Sequence, residues 1–303
     1  MSALSLRSPH LEAASSGVER LERRWGVAFS LPAMAYFAVF WLLPLGLAVY
    51  YSFTDYDLVS SPRWVGIRNY QDLANDSEFK HSLTTTGLFT LGFVVPTVVV
   101  ALLIAAPLSR ARRGNVFLRS LFFIPAVMPL VASAILWQLI YQTDGLANTI
   151  LRWFGFTPVA WLTTPDVALW AVVAMVVWKY LGLYILIFTA GLQSVPTSVY
   201  HAAALDGAGT LRTFFQVTLP LIRRTLLFVI VIAIIGAAQA FVPIYILTNG
   251  GPAEATEVLP IYLFNNAFSY TSMGYASSIA MVLLVVLVLL SLVQFRLFRT
   301  TDS

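Results

Sequence analysis

Apolar residues along this chain come in long runs separated by short polar clusters. The charged side chains mark the boundaries: uncharged stretches run over 25–54, 81–109, 120–143, 225–253 and 258–295. A further apolar run, Ala168 to Leu192, is interrupted only by Lys179. A helix needs about 20 apolar residues to cross the hydrocarbon core of a bilayer. The pattern therefore predicts six spanning helices, at 27–51, 84–108, 120–141, 168–192, 225–247 and 274–296. Pro32, Pro44, Pro96, Pro125, Pro129 and Pro243 lie within these runs. Packed neighbours can re-satisfy the backbone groups that prolines free, so kinked spans splayed around a path are expected there.

The basic residues set an orientation, because cytoplasmic loops carry the excess of Arg and Lys. With the amino terminus inside, the inner segments hold thirteen basic residues: Arg7, Arg20, Arg23, Arg24, Arg110, Arg112, Arg113, Arg119, Arg212, Arg223, Arg224, Arg296 and Arg299. The outer segments hold four, Arg63, Arg68, Lys80 and Arg152. Both termini are expected to be cytoplasmic, with residues 1–24 and 299–303 as short tails around a membrane domain over 25–298. A cleaved signal peptide is not expected. The apolar run after Arg24 continues to Tyr51, beyond the roughly 7–15 residues of a signal sequence's apolar core.

Composition agrees: of 303 residues 59% are hydrophobic and 11% charged, with mean hydropathy +0.80, against about 25% charged in a soluble domain. The fold class expected is all-α and polytopic. There is no cysteine, which removes disulfides, thiolate metal sites and a cysteine nucleophile. His10, His81 and His201 lie far apart, so no metal cluster is expected. The net charge of +4 follows the positive-inside pattern and does not point to nucleic acid. Carboxylate pairs, a Ser-His-Asp set and a phosphate-cradling loop are all lacking, so no catalysis by this chain is expected.

Between the fourth and fifth runs lies a segment, Tyr200 to Arg224, that reads as built structure. An alanine-rich helical turn meets Asp206-Gly207, and glycine at that point can take the left-handed conformation that stops a helix. Asp206 is poorly placed at a helix C-terminus but suited to accept hydrogen bonds from following N–H groups and start a turn. Thr210 is then positioned to cap a second short helix. In it Leu211, Phe214, Phe215 and Thr218 fall on one face, and Leu219-Pro220 closes it. An ordinary interhelical loop would need no more than this chemistry.

The residues go further. Ala202, Ala203, Asp206, Gly207, Ala208, then Phe214 or Phe215, then Leu219 and Pro220, with Ser194-Val195-Pro196 upstream, resemble the cytoplasmic "EAA" loop of permease subunits of bacterial binding-protein-dependent ABC importers. His201 departs, standing where that family has Glu. Two outer segments carry the same resemblance. Trp64 to Leu73, WVGIRNYQDL, is similar to the F-x-G-x-x-N-Y segment after the first span of carbohydrate-type permeases, with Trp64 in place of Phe. Thr248 to Pro252 is similar to that family's T-x-G-G-P turn. The likeness covers about residues 28–298.

The resemblance implies a coupling helix between the fourth and fifth spans, carried by His201, Ala202, Ala203, Asp206, Gly207, Ala208, Gly209, Phe214, Leu219 and Pro220. It implies a second, similar permease, a dimer of cytoplasmic ATP-binding subunits and an extracytoplasmic solute-binding protein, all around a chain in the inner membrane. ATP and Mg would be bound by the ATPase, leaving this chain without a cofactor. The carbohydrate group implies a sugar, an oligosaccharide or a glycerol-phosphate-type solute.

Polar groups inside the spans are few. Lys179 is the only charge there, at a cost of about 2.5–3.5 kcal/mol on insertion scales. It either lines the solute path, leaning toward an anionic solute, or pairs with a carbonyl or reaches an interface. Gln138, Tyr141, Gln239 and Asn266 are further path candidates that helix packing would explain equally well. A self-sufficient secondary transporter or channel stays open as the rival. That class tends to carry more ionisable groups, a filter sequence or an internal repeat.

Overall fold

A computed structural model describes residues 25–27, 29–109 and 114–299. The expected tail 1–24, the basic residues Arg110, Arg112 and Arg113, and residues 300–303 lie outside the described residues.

The first helix, α1 (Trp25–Ser52), carries a π turn at Ala38–Leu42 just ahead of Pro44. None of the residues in its most apolar window is buried within this chain, as suits a helix facing lipid or a partner. A short hairpin follows: β1 (Thr54–Asp55) and β2 (Arg63–Trp64) run antiparallel, Thr54 opposite Trp64 and Asp55 opposite Arg63. Next come α2 (Arg68–Asn75) and the 32-residue α3 (Ser77–Leu108), whose first turn is capped by the Asp76 carboxylate accepting from Glu78 N. Pro96 and Pro107 lie inside α3 without ending it.

The third run is not one straight helix. It divides into α4 (Asn115–Val127) and α5 (Leu130–Ile140), which meet at 96°. Proline chemistry accounts for the position. Pro129 has no N–H to offer the Pro125 carbonyl four residues back, and it forces Met128 out of the helical region (ψ 144°). A short helix, α6 (Leu146–Trp153), leads to α7 (Pro165–Gln193), 29 residues long.

The segment after α7 folds into α8 (Thr197–Leu205) and α9 (Thr210–Leu221). Then α10 (Arg223–Ala238) leaves α9 at a bend of 71°. The fifth run breaks again before α11 (Val242–Leu247), with Pro243 in the first turn of that helix. So the spans expected at 120–141 and 225–247 are both interrupted. Among the described residues four helices are long and apolar enough to cross a membrane, and the number reaches six only if each bent pair counts as one span. After the tight turn at 248–252 come α12 (Leu259–Phe264), a π turn at Asn265–Ser269, and α13 (Met273–Arg299).

The core is an α3–α7 pair. Phe89 and Phe93 from α3 interleave with Val172, Met175, Ile185 and Phe188 from α7, all fully buried. Val229 and Ala233 from α10 close the same cluster. A second cluster joins Leu73, Phe79, Leu259, Tyr262 and Ile279, and so ties α2, α3, α12 and α13 together.

Candidate functional site

The knob formed by α8 and α9 is closed by backbone hydrogen bonds. Asp206 is the helix cap, and Gly207 follows it at φ +71°. Ala208 N donates to Ala203 O at 2.9 Å and Gly207 N to Ala204 O at 3.1 Å. That pair of bonds is the Schellman closure, in which a left-handed residue lets the chain fold back on its last carbonyls. Among the described residues none donates to the Asp206 side chain, so its carboxylate does not build the turn as the sequence suggested. It stands exposed at the tip instead, beside His201, Ala202, Gly207 and Gly209. Ala203 is buried and Ala208 half-buried.

Three further expectations about this segment are corrected. The cap of α9 is Gly209, not Thr210. The face of Leu211, Phe214, Phe215 and Thr218 is split, because residues 214–218 form a π turn whose wider winding breaks the 3.6-residue register. Thr218 is buried, and Phe214 packs against the core together with Leu219 and Tyr200. Leu211 and Phe215 point outward, 76% and 61% exposed, and Leu205 at the end of α8 is 90% exposed. Pro220 does not end the helix; α9 continues to Leu221 and breaks at Ile222.

The knob is rooted firmly. Ser194 Oγ donates to Gly191 O at 2.8 Å at the end of α7, and Val195 is buried. A Cβ on Gly191 would lie 2.5 Å from Thr225 Oγ1, so the two stems, α7 and α10, touch there. The C-terminus of α3 lies alongside: Gln193 Nε2 donates to Ser109 O at 3.1 Å, and Arg119 donates to Leu108 O.

The end of the bundle away from the knob holds the two remaining motifs. Asn69 Nδ2 donates to Ser52 O and Thr54 O, 2.9 Å each, and Tyr70 Oη donates to Ser52 Oγ at 2.7 Å. The WVGIRNY stretch thus clips the end of α1, with Gly66 at φ +64° making the turn. In the 248–252 turn, Thr248 and Thr256 share a hydroxyl hydrogen bond at 2.7 Å, and Thr256 Oγ1 donates to Gly251 O at 2.7 Å. The loop is sewn to α3: Leu259 N donates to Thr86 Oγ1 at 2.8 Å, and Tyr262 and Tyr275 both donate to the Asp76 carboxylate. Burial raises Asp76, but these hydroxyls and the Glu78 N–H outweigh it and hold the carboxyl below its usual range. Glu257 goes the other way. Burial holds it above the usual range, although it accepts from Asn265 Nδ2 at 3.0 Å.

The path candidates separate. Lys179 is 3% exposed, and its ammonium donates to the carbonyls of Pro125 (2.6 Å), Ala126 (3.2 Å) and Met128. Tyr141 is buried and donates to Ala171 O at 2.9 Å, and Asn266 is buried and donates to Tyr262 O at 2.9 Å. These three side chains serve the protein's own backbone. Gln138 on α5 and Gln239 at the break after α10 are exposed, and α11 packs beside α5 near them.

A bundle of broken apolar helices around an α3–α7 core, with a rigid two-helix knob between its fourth and fifth apolar runs, is the architecture of a transport permease. Residues 73–301 match the family described as binding-protein-dependent transport system inner membrane components, and this chain belongs to that family. It is 37% identical over 276 residues to the probable ABC transporter permease protein YesP of Bacillus subtilis, covering 89% of each chain. It is 33% identical to the arabinooligosaccharides transport system permease protein AraP of Bacillus subtilis, covering 89% of this chain and 87% of that one. The fold matches a chain in the crystal structure of a bacterial alginate ABC transporter in complex with an alginate pentasaccharide-bound periplasmic protein. The TM-score is 0.81 at 20% identity, over 94% of this chain and 98% of that one.

Proposed function

We propose that this chain forms half of the translocation path of an ATP-driven importer for a sugar or oligosaccharide, and that the α8–α9 knob is the part the ATPase moves. The observation that carries the reading is the knob itself. A hydrogen-bonded turn holds the Asp206 carboxylate and three large apolar side chains, Leu205, Leu211 and Phe215, out from a base packed on the core. Large apolar side chains exposed on a knob outside the apolar runs support a protein-binding surface there. The distribution of basic residues supports a cytoplasmic knob, on the same side as both termini.

ATP and Mg belong to a dimer of cytoplasmic ATP-binding subunits. Closure of that dimer pulls the knob, and α7 and α10 carry the displacement into the membrane. A second, similar permease closes the path on the other side, and an extracytoplasmic binding protein delivers the solute to the outer surface. The sugar class rests on the name of the arabinooligosaccharide relative and on the two outer motifs of carbohydrate type. A glycerol-phosphate-type solute had Lys179 as its argument, and that charge is spent on three backbone carbonyls. We therefore favour a neutral solute contacted by amides such as Gln138 and Gln239.

Reconstitution tests the reading. Proteoliposomes holding the chain with its second permease and ATPase should take up sugar only with ATP inside and the binding protein outside. Uptake by this chain alone, driven by an ion gradient, would establish the secondary-transporter alternative.

A further inference from the structure

The bend in the third span leaves a specific backbone debt, and one side chain on another helix settles it. The last turn of α4 ends with carbonyls that have no partner of their own. Pro125 O would look for an N–H at position 129, which is proline. Ala126 O would look to Leu130, which already belongs to α5 on the far side of the 96° bend. Lys179, in the middle of α7, supplies three donors to Pro125, Ala126 and Met128. An ammonium has three N–H groups, and its charge also suits the negative end of a helix. Three residues further along α7, Gly182 meets α4 again. A Cβ there would lie 1.9 Å from Phe122 O and 2.9 Å from Phe123 Cα, so only glycine permits the approach. Moving toward the C-terminus of α7 thus means moving toward the N-terminus of α4, and the two helices are antiparallel.

We infer that Lys179 and Gly182 clamp α4 to α7, so that α7 and the bent third span move as one rigid body during transport, and that Lys179 is a positioning residue and not a solute contact. The consequence for function rests on the coupling reading above. α7 runs directly into the knob, so whatever displaces the knob displaces α7. The clamp passes that displacement to α4, and through the bend to α5 and Gln138.

The chain has no cysteine of its own, which makes spin labelling direct. Label pairs at Ser120→Cys on α4 and Ala190→Cys on α7, both exposed, would report the α4–α7 separation in the full importer with and without ATP plus vanadate. The clamp predicts one narrow distance distribution in both states. In Lys179→Met the distribution should broaden or shift with nucleotide. Maximal uptake should fall about tenfold or more, with the solute concentration for half-maximal uptake unchanged. Lys179→Arg should restore part of the rate, because its donors can reach the same carbonyls. Gly182→Ala should reproduce the loss with the ammonium intact, and it keeps the test alive if Lys179→Met fails to assemble.

A separation that changes with nucleotide in the native chain would overturn the clamp while leaving the coupling reading standing. Native uptake in both variants would overturn it too, as would a Lys179→Met defect confined to half-saturation. A constant separation in a chain whose knob touches no ATPase would support the clamp and sink the coupling reading instead.

Discussion

Gly207 offers the sharpest perturbation of the knob. Its φ of +71° lies in the left-handed region, and a Cβ placed there would meet nothing within 4 Å. A substitution at this site therefore acts through backbone strain and not through a clash. Holding an L-residue in that region costs roughly 1–2 kcal/mol, with a β-branched residue at the upper end and asparagine well below it. One to two kcal/mol is a factor of about 5–30 in a two-state population, here the closed Schellman turn against an opened one. ATP-driven uptake in proteoliposomes should fall in the order Gly, Asn, Ala, Val, with Gly207→Val lower by about that factor. Co-purification of the ATPase with the permease should fall in step, while membrane insertion is unaffected. Gly155→Val is the control. That glycine sits at φ +80°, is equally free of contacts, and lies before the N-terminus of α7, away from the knob. It incurs the same strain and should leave uptake near native. A Gly207→Val importer with native uptake and native ATPase retention would refute the argument, and so would equal losses in both variants.

Other expectations follow from the loops away from the knob. Asn69→Ala leaves the Ser52 and Thr54 carbonyls without their donor, at about 1–3 kcal/mol for each buried group left unpaired; thermal unfolding of the purified importer should begin several degrees lower. Asn148→Ala removes the bonds with Gln142 O, Val159 and Trp161 Nε1 that hold α6, and should expose amides of residues 146–161 to hydrogen exchange while those of α3 stay protected. Glu257, raised by burial, contributes stability below its unfolded value and loses it as pH rises through the raised one. Glu257→Gln should therefore melt higher than the native chain near pH 7, with the gap closing toward about pH 4. Asp76, held low, contributes above its unfolded value and loses that as pH falls through the lowered one; Asp76→Asn should melt lower at neutral pH, with the gap closing as pH falls below the usual aspartate range.

Much of this architecture was legible in the order of apolar runs and charges, because a bilayer imposes length and polarity rules that a single sequence must obey. The left-handed glycine of the knob was legible for a similarly local reason. The breaks were not. Pro96 and Pro107 sit in an unbroken α3, whereas Pro129 ends α4. The carbonyls freed at Pro129 are taken up by a donor that Lys179 brings from about 50 residues away in sequence, and no local pattern encodes that partner. The same distance hides the fate of Lys179, since its sequence neighbours say only that it is costly. The face of α9 was misread because a helical wheel assumes 3.6 residues per turn, and the π turn at 214–218 does not keep it. That misreading concealed the exposed Leu211 and Phe215. Leu205 was missed as well, although an apolar residue just before Asp-Gly at a helix end is a signal that could have been used. The WVGIRNY motif was visible as a pattern, but its bonds to Ser52 and Thr54 belong to the folded chain alone.

The central claim is that the α8–α9 knob meets the ATPase inside the cell. A single cysteine at Leu205, in a chain otherwise free of cysteine, tests it in the assembled importer. Leu205→Cys should cross-link to the ATP-binding subunit, with a yield that changes on adding ATP and vanadate, and should resist impermeant thiol reagents applied from outside. Labelling from outside, or the absence of any cross-link to that subunit in either nucleotide state, would contradict the account.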